Sequence, residues 1–362
     1  MSVLVSVVVP TCRRPDLLER CLRALLAQDF NPSAYEILVV DDAAEEETAC
    51  LVKKLAEQSK VYELVGGSKI REPALVSAQK EAEMYAMRAF EEEFEILPGP
   101  PRLRYLPAGH TQGPAAARNL GWQAARGEVI AFTDDDCIPS ASWLKNGLEA
   151  FEGGVVGVSG QIVVPIPAWP TDYEKNVGAL VRSQFVTANC FYALSVLQEV
   201  GGFDERFKLA WREDSDLYFR IVKGGYSLAY APDALVIHPV RAAPWGVSLG
   251  QQRKSMYNAL VFKKHPRLYR ERLQPAPPWR YYAILGAVLV LLSGLLSGAG
   301  SITSLSGLLW FGLTANFCAR RLRGTARTSN HIIEMILTSV LIPFLSVYWR
   351  LRGALKFRVF FF

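Results

Sequence analysis

The sequence predicts an α/β fold followed by an all-α, membrane-associated C-terminal region, and three observations carry that prediction. Over residues 3–240, apolar β-branched runs alternate with segments whose apolar residues recur at helical spacing. Several of those runs drive into carboxylates, most plainly where Val129-Ile130-Ala131-Phe132-Thr133 reaches Asp134, Asp135 and Asp136. From residue 281 onward, long uncharged apolar stretches lie between Arg- and Lys-rich flanks.

Taken in order, Val3 to Val9 reads as a fully buried, parallel-type strand ending at Pro10-Thr11. Arg13 to Leu26 carries Leu17, Leu18, Cys21, Leu22 and Leu25 at helical spacing, with Pro15 suited to the first turn. Glu36 to Val40 is a second buried strand that delivers Asp41 and Asp42 at its end. Strand, helix, strand at this spacing predicts a right-handed βαβ unit, whose ligands bind beyond the strands' carboxyl ends. Thr11, Arg13, Asp41 and Asp42 belong to that edge, although a capped turn into the helix of Glu45 to Leu55 explains the two aspartates equally well.

Residues from about 59 to 101 read as an insertion, with an acidic amphipathic helix over Ala74 to Phe94 broken by Pro98-Gly99-Pro100-Pro101. A short strand at Arg102 to Leu106 and a helix over Gly113 to Ala125, bearing Arg118 and Asn119, come next. Three adjacent aspartates repel one another, and a fold tolerates them most easily where a cation neutralises them. Mg²⁺ or Mn²⁺ suits such a site, because these hard ions take one or two carboxylates and complete their shell with substrate phosphates. The competing reading is a solvated acidic turn before a helix over Ser140 to Phe151. Further strands fall at Val155 to Val164, Asn189 to Tyr192 and Ala234 to Ile237, the last ending in His238. Glu213 and Asp214 open a helix, where the dipole favours carboxylates but where a general base is equally at home.

Pro10-Thr11, Asp41-Asp42, Ala117-Arg118-Asn119-Leu120-Gly121, Phe132-Thr133-Asp134-Asp135-Asp136, Gly201-Gly202-Phe203-Asp204 and Glu213-Asp214-Ser215-Asp216-Leu217 follow in that order. Together they resemble the family 2 glycosyltransferases, inverting enzymes of the GT-A fold, over roughly residues 3–240. The resemblance implies that Thr11 and Asp42, with Asp41 beside them, lie near the nucleotide base and ribose. It places Arg118 on the diphosphate and Asn189 close to the donor sugar. Asp134 would face the nucleotide and share a divalent metal with Asp136, its principal holder, but three aspartates in a row leave the register open, and Asp135 fits either job. Asp214, paired with Glu213, matches the general base, and His238 a position where some relatives hold metal or phosphate.

The resemblance thus implies a nucleotide-diphosphate sugar as donor, a lipid-linked or glycan acceptor, and Mg²⁺ or Mn²⁺ as cofactor. A non-catalytic membrane scaffold of the same fold and a sugar nucleotidyltransferase are the alternatives. The second would be expected to carry a Gly-rich loop, which Pro10-Thr11-Cys12-Arg13-Arg14 is not.

The domain layout reads as 1–245 catalytic, 246–280 a basic interfacial segment and 281–362 a membrane region. Gln251 to Arg272 mixes seven cations with Met256, Leu260, Val261 and Phe262, as an amphipathic helix on anionic lipid would. By family resemblance, Gln251 and Arg253 are acceptor contacts. Residues 281–319 form a helical hairpin whose basic flanks, Arg280 and Arg320 to Arg327, place both ends in the cytoplasm. The apolar stretch 331–349 is interrupted by Glu334 and Pro343, which favours a re-entrant or interfacial segment, with a third span as the competitor. Half of the 362 residues are hydrophobic and the net charge is +5, with the cations gathered beside apolar runs. That pattern points to membrane lipids and away from nucleic acid. Six cysteines without regular spacing, and an N-terminus without a secretory signal, predict a reduced, cytoplasmic catalytic domain on a bacterial-type inner membrane.

Overall fold

The computed structural model describes residues 3–61, 102–108 and 113–361, which form two compact units. The inserted helix expected at 74–94 lies outside the described residues. The first unit holds one eight-stranded mixed sheet in the order β3-β2-β1-β4-β7-β6-β8-β5. Its strands are β1 (Val5–Thr11), β2 (Tyr35–Asp41), β3 (Arg102–Pro107), β4 (Val129–Phe132), β5 (Ile138–Pro139), β6 (Val155–Val163), β7 (Cys190–Ala193) and β8 (Ser227–Ile237). Every residue of β1, β2 and β4 is buried, which is why these runs are continuously apolar and do not alternate.

β3, β2, β1 and β4 run parallel, whereas β7 is antiparallel to both β4 and β6. β8 is parallel to β6, so its C-terminal end faces the same way as those of β1, β2 and β4. The loops after these four strands therefore share one edge, and Thr11, Asp41, Asp134 and His238 gather there by topology alone. Ile138 and Pro139 pair antiparallel with β8 at the end of the sheet, where a missing donor is tolerated.

Helices α1 (Pro15–Leu26), α2 (Glu46–Val61), α3 (Pro114–Gln123) and α4 (Trp143–Glu149) follow the strands much as expected, α4 starting three residues beyond Ser140. A short helix α5 (Asp172–Gly178), all but its last residue in the second unit, and a 3₁₀ turn (Ala179–Arg182) were not foreseen. Helices α6 (Leu194–Val200) and α7 (Glu213–Lys223) complete this part of the chain. Small residues Ala115, Ala116 and Ala117 let α3 lie on β1 and β2.

In the second unit, the single amphipathic helix expected over 251–272 is corrected to a succession of short ones. These are α8 (Val247–Gln251), a 3₁₀ turn (Gln252–Ser255), α9 (Met256–Lys264) and α10 (Pro266–Arg272). Pro266 starts a new helix, and Met256 to Val261 are all buried, so α9 has no solvated face over that stretch. The hairpin is present as α11 (Trp279–Leu296) and α12 (Gly300–Arg321). At 1.5 Å per residue these are about 27 and 33 Å long, near the roughly 30 Å of a hydrocarbon core. Residues 331–349, expected as a re-entrant or interfacial segment with a third span as the competitor, lie in one 29-residue helix that continues through Pro343, α13 (Ser329–Phe357). All three are long and apolar enough to cross a membrane. Glu334 does not break α13, since its carboxylate accepts a hydrogen bond from the backbone N–H of Gly246 at 2.8 Å.

Candidate active site

The three consecutive aspartates after β4 point at three different partners. Asp134 Oδ1 accepts from Arg118 Nη2 at 2.7 Å. Asp135 Oδ2 accepts from the Thr11 hydroxyl at 2.7 Å and lies 3.2 Å from Arg14 Nε. Asp136 Oδ1 lies 3.7 Å from His238 Nε2. Backbone direction is the cause: the chain leaves the strand here and turns, with Cys137 N bonded back to the Asp134 carbonyl at 3.0 Å.

Arg118 is 2% exposed and links two carboxylates from distant parts of the chain, Asp134 and Glu213, the latter at 3.0 Å from Nη1. Burial works against the Asp134 carboxylate, yet the guanidinium charge and hydrogen bond outweigh it and hold its pKa below the usual range. Glu213 is pushed the other way, upward, because burial is only partly offset by Arg118 and Asp214 adds like charge. Asp135 is pushed up to about 7, mainly by burial and also by its two aspartate neighbours, against the pull of Arg14 and Thr11. One oxygen of Asp135 and one of Glu213 are buried without a partner among the described residues, as is Nε of Arg118. Unsatisfied buried polar atoms are costly, and their concentration here marks a place where further polar groups would be favourable.

Asp136, Cys137 and His238 bring one ligand atom each within 4.8 Å of one another. Burial, and then Asp136 and Asp134, raise the Cys137 thiol well above its ordinary value, so it stays protonated. A hard divalent ion would therefore be held by the Asp136 carboxylate and the His238 imidazole, whose Nδ1 is also buried without a partner. The residues present fit such an ion.

Two family models match the chain in succession. The "Glycosyl transferase family 2" model matches residues 6–69 and 87–194, and the "Glycosyl transferase family group 2" model residues 174–349. The chain is a family 2 glycosyltransferase. The transferase is 28% identical over 259 residues to glycosyltransferase AglE of Haloferax volcanii, covering 68% of this chain and 70% of the relative. It is 33% identical over 122 residues to an N-acetylglucosaminyl-diphospho-decaprenol L-rhamnosyltransferase of Mycobacterium tuberculosis, covering 32% of this chain and 36% of that one. Among solved structures, the mannosyltransferase PcManGT of Pyrobaculum calidifontis, in complex with GDP-Man and Mn²⁺, shares the fold. Its TM-score is 0.50 at 17% identity, covering 99% of this chain and 88% of that one. The GT-A fold expected from the motifs is thus the fold of the transferase.

The other expected site residues are placed as follows. Asp214 opens α7 beside Glu213, half-buried, with Oδ1 accepting from the Ser215 N–H at 2.6 Å and from its hydroxyl at 3.2 Å. Asp41 is fully buried and used up in the turn, accepting from Ala43 N, Glu45 N and the Tyr105 hydroxyl, while Asp42 is partly exposed next to it. Asn189 is also fully buried. Its amide donates to the carbonyls of Gln161 and Ala234 and its oxygen accepts from Trp143 Nε1, so its polar groups all brace the sheet end. Gln251 ends α8 and Arg253 lies exposed on the 3₁₀ turn after it, both in the second unit.

Sequence reasoning missed Arg14, whose only signal was a second cation next to Arg13 ahead of α1. The Gly201-Gly202-Phe203-Asp204 motif proves to be scaffolding. Asn119 accepts from Phe203 N and donates to Phe203 O, and a Cβ on Gly202 would come within 2.6 Å of the Asn119 side chain.

Proposed function

We propose that the transferase is a membrane-attached, metal-assisted inverting enzyme. It moves a sugar from a nucleoside-diphosphate donor to a lipid-linked or glycan acceptor. One observation carries this: Asp134, Asp135, Asp136, His238, Arg118, Glu213 and Asp214 converge on one sheet edge although the chain scatters them over 120 residues. The relatives fit, since PcManGT holds GDP-Man and Mn²⁺ and the rhamnosyltransferase is named for a diphospho-decaprenol acceptor.

In this reading, Thr11 and Asp42 contact the nucleoside, with Asp41 shaping the turn that presents Asp42. Asp136 and His238 hold the divalent ion, Mg²⁺ or Mn²⁺. When bound, the ion supplies Lewis-acid stabilisation of charge growing on the leaving diphosphate. Arg118 adds a preorganised cation, already desolvated and fixed by Asp134 and Glu213. Asp214 takes the proton from the acceptor hydroxyl as its oxygen attacks the anomeric carbon opposite the departing phosphate. Its Oδ1 is held by Ser215, so one orientation of the carboxylate is set before substrate arrives. The apolar helices after residue 279 attach the enzyme to a bacterial-type inner membrane, with the catalytic unit in the cytoplasm.

Membranes bearing the full chain, supplied with a panel of radiolabelled nucleotide sugars and extracted lipid, test this. Turnover that a chelator abolishes, Mn²⁺ or Mg²⁺ restores and Asp214→Asn suppresses is the expected result. Product with the donor's anomeric configuration retained would overturn inversion, and full turnover in chelator would remove the metal.

A further inference from the structure

α13 is long and apolar enough to cross a bilayer, as α11 and α12 are, and its contacts within the second unit bear on whether it does. Near its start, Glu334 bonds to Gly246 N. One turn on, the hydroxyls of Thr338 and Ser339 accept from Arg321 Nη1 at 2.6 and 3.1 Å, and the other terminal nitrogen of that arginine donates to the Ser248 hydroxyl. Near its end, Gly353 lies against Met256, where a Cβ would come within 2.3 Å of the Met256 carbonyl oxygen. Four residues further, the Phe357 carbonyl accepts from Lys263 Nζ at 2.8 Å.

These pairings advance in the same direction along both segments. From Glu334 to Phe357 the helix rises about 34 Å, and residues 246–263 accompany it throughout. That companion carries Arg253 and Lys254 midway and Lys263 at its end, with Arg253 and Lys263 exposed. α13 can cross only if these cations cross with it, and the two midway ones, Arg253 and Lys254, would then lie at the costliest depth of the bilayer.

The hairpin points the same way. Arg321 is the last residue of α12, and it reaches Thr338 and Ser339 of α13. Arg350 of α13 donates to Gln274 at 3.2 Å, and Gln274 lies five residues before α11 begins. Both contacts are at the hairpin's base, while Leu296 at its tip is 91% exposed. α13 therefore passes across the base of the hairpin.

Its uncovered face is apolar along the whole length: Leu337, Leu341, Phe344, Tyr348, Leu351 and Leu355 are all exposed, at alternating spacings of four and three. We propose that this stripe rests on lipid, with α13 in the plane of the membrane and its opposite face bedded on residues 246–263. The chain then crosses twice and not three times, and its C-terminal end returns to the side from which α11 enters. Cations at Arg352, Lys356 and Arg358 flank the stripe, as anionic headgroups would require.

The inference rests on the membrane attachment proposed above, and the test separates the two. A fluorescent amino acid is placed in the full chain at Leu309 in α12, or at Leu337, Phe344 or Leu351 in α13. The protein is then reconstituted in phosphatidylcholine–phosphatidylglycerol vesicles with shallow or deep lipid quenchers. Leu309 should respond to the deep quencher, and the three α13 positions equally to the shallow one, about 5–10 Å below the headgroups. Deep quenching at Phe344 with shallow responses at Leu337 and Leu351 would overturn the proposal in favour of a third span. Stripe positions silent to both quenchers, in protein that crosslinks as a dimer, would overturn it in favour of a second copy. If Leu309 also escapes the deep quencher, the membrane attachment fails and the flat helix with it.

Discussion

Arg118→Met removes the cation that Asp134 and Glu213 share while keeping the length and apolar bulk of the side chain. Glu213 is 4% exposed at its side chain and Asp134 28%, so water can rehydrate the second far better than the first. Breaking a buried ion pair from one side costs about 3–5 kcal/mol, and the solvent open to Asp134 places this case toward the lower end. For a domain of this size a kilocalorie corresponds to about 2–4 °C, giving a fall in melting temperature of roughly 6–12 °C. The loss should be partly reversible in a specific way. Arg118→Met with Glu213→Gln leaves no charge stranded at the more buried position, so the double variant should melt above the single one. The measurement is intrinsic fluorescence during a thermal ramp on metal-free protein at pH 7. A single variant within a degree or two of wild type, or a double variant that melts below it, would refute the claim that Arg118 is held by two desolvated carboxylates.

Asp214→Asn preserves the hydrogen bonds from Ser215, so turnover should fall by about 10²–10⁴ while donor affinity, read by isothermal titration, stays put. Glu213 titrates near 7 in the folded chain against an ordinary 4.5, so the folded state holds a proton that the unfolded state releases. Stability from that proton is present at acid pH and is lost as pH rises from about 4.5 through about 7; Glu213→Gln should reduce the pH dependence of the melting temperature over that window without removing it, since Asp135, also pushed up to about 7, keeps its share. Asp136→Asn and His238→Gln should each weaken Mn²⁺ binding followed by electron paramagnetic resonance, and Asp135→Asn should weaken it less; the reverse order would shift the metal to Asp135. Asn189→Ala strands the Trp143 N–H and two backbone carbonyls, each worth about 1–3 kcal/mol, so it should lower the melting temperature. A change in donor specificity with unchanged stability would restore Asn189 to the sugar.

What was legible in the sequence follows from what a one-dimensional pattern can encode. The buried strands β1, β2 and β4 announce themselves because a central parallel strand has no polar face to hide. Their shared edge follows from chain connectivity, which is why Thr11, Asp41 and Asp42 could be placed together beforehand. Arg14 could not be separated from Arg13, since nothing in two adjacent arginines says which one meets Asp135 and which meets Glu45. Asn189 misled for a related reason: an asparagine at a strand end looks the same whether its amide faces a ligand or braces Trp143. In the helical region, composition alone made Gln251 to Arg272 one amphipathic helix. Only the packing of α9 shows that Met256 to Val261 are enclosed all round.

The aspartate triplet shows how three identical residues come to differ. Consecutive residues of an extended chain point to opposite sides, and the turn after β4 separates the third from the first, so the three carboxylates meet different surroundings. The surroundings then assign each direction. The guanidinium of Arg118 makes Asp134 a permanent anion, and that anion is what fixes Arg118 in turn. Asp135 looks inward to Thr11 and Arg14, with one oxygen lacking a partner, and its raised pKa makes it a poor site for permanent charge without further compensation. Asp136 looks toward His238, delivered by a strand more than a hundred residues later that ends on the same edge.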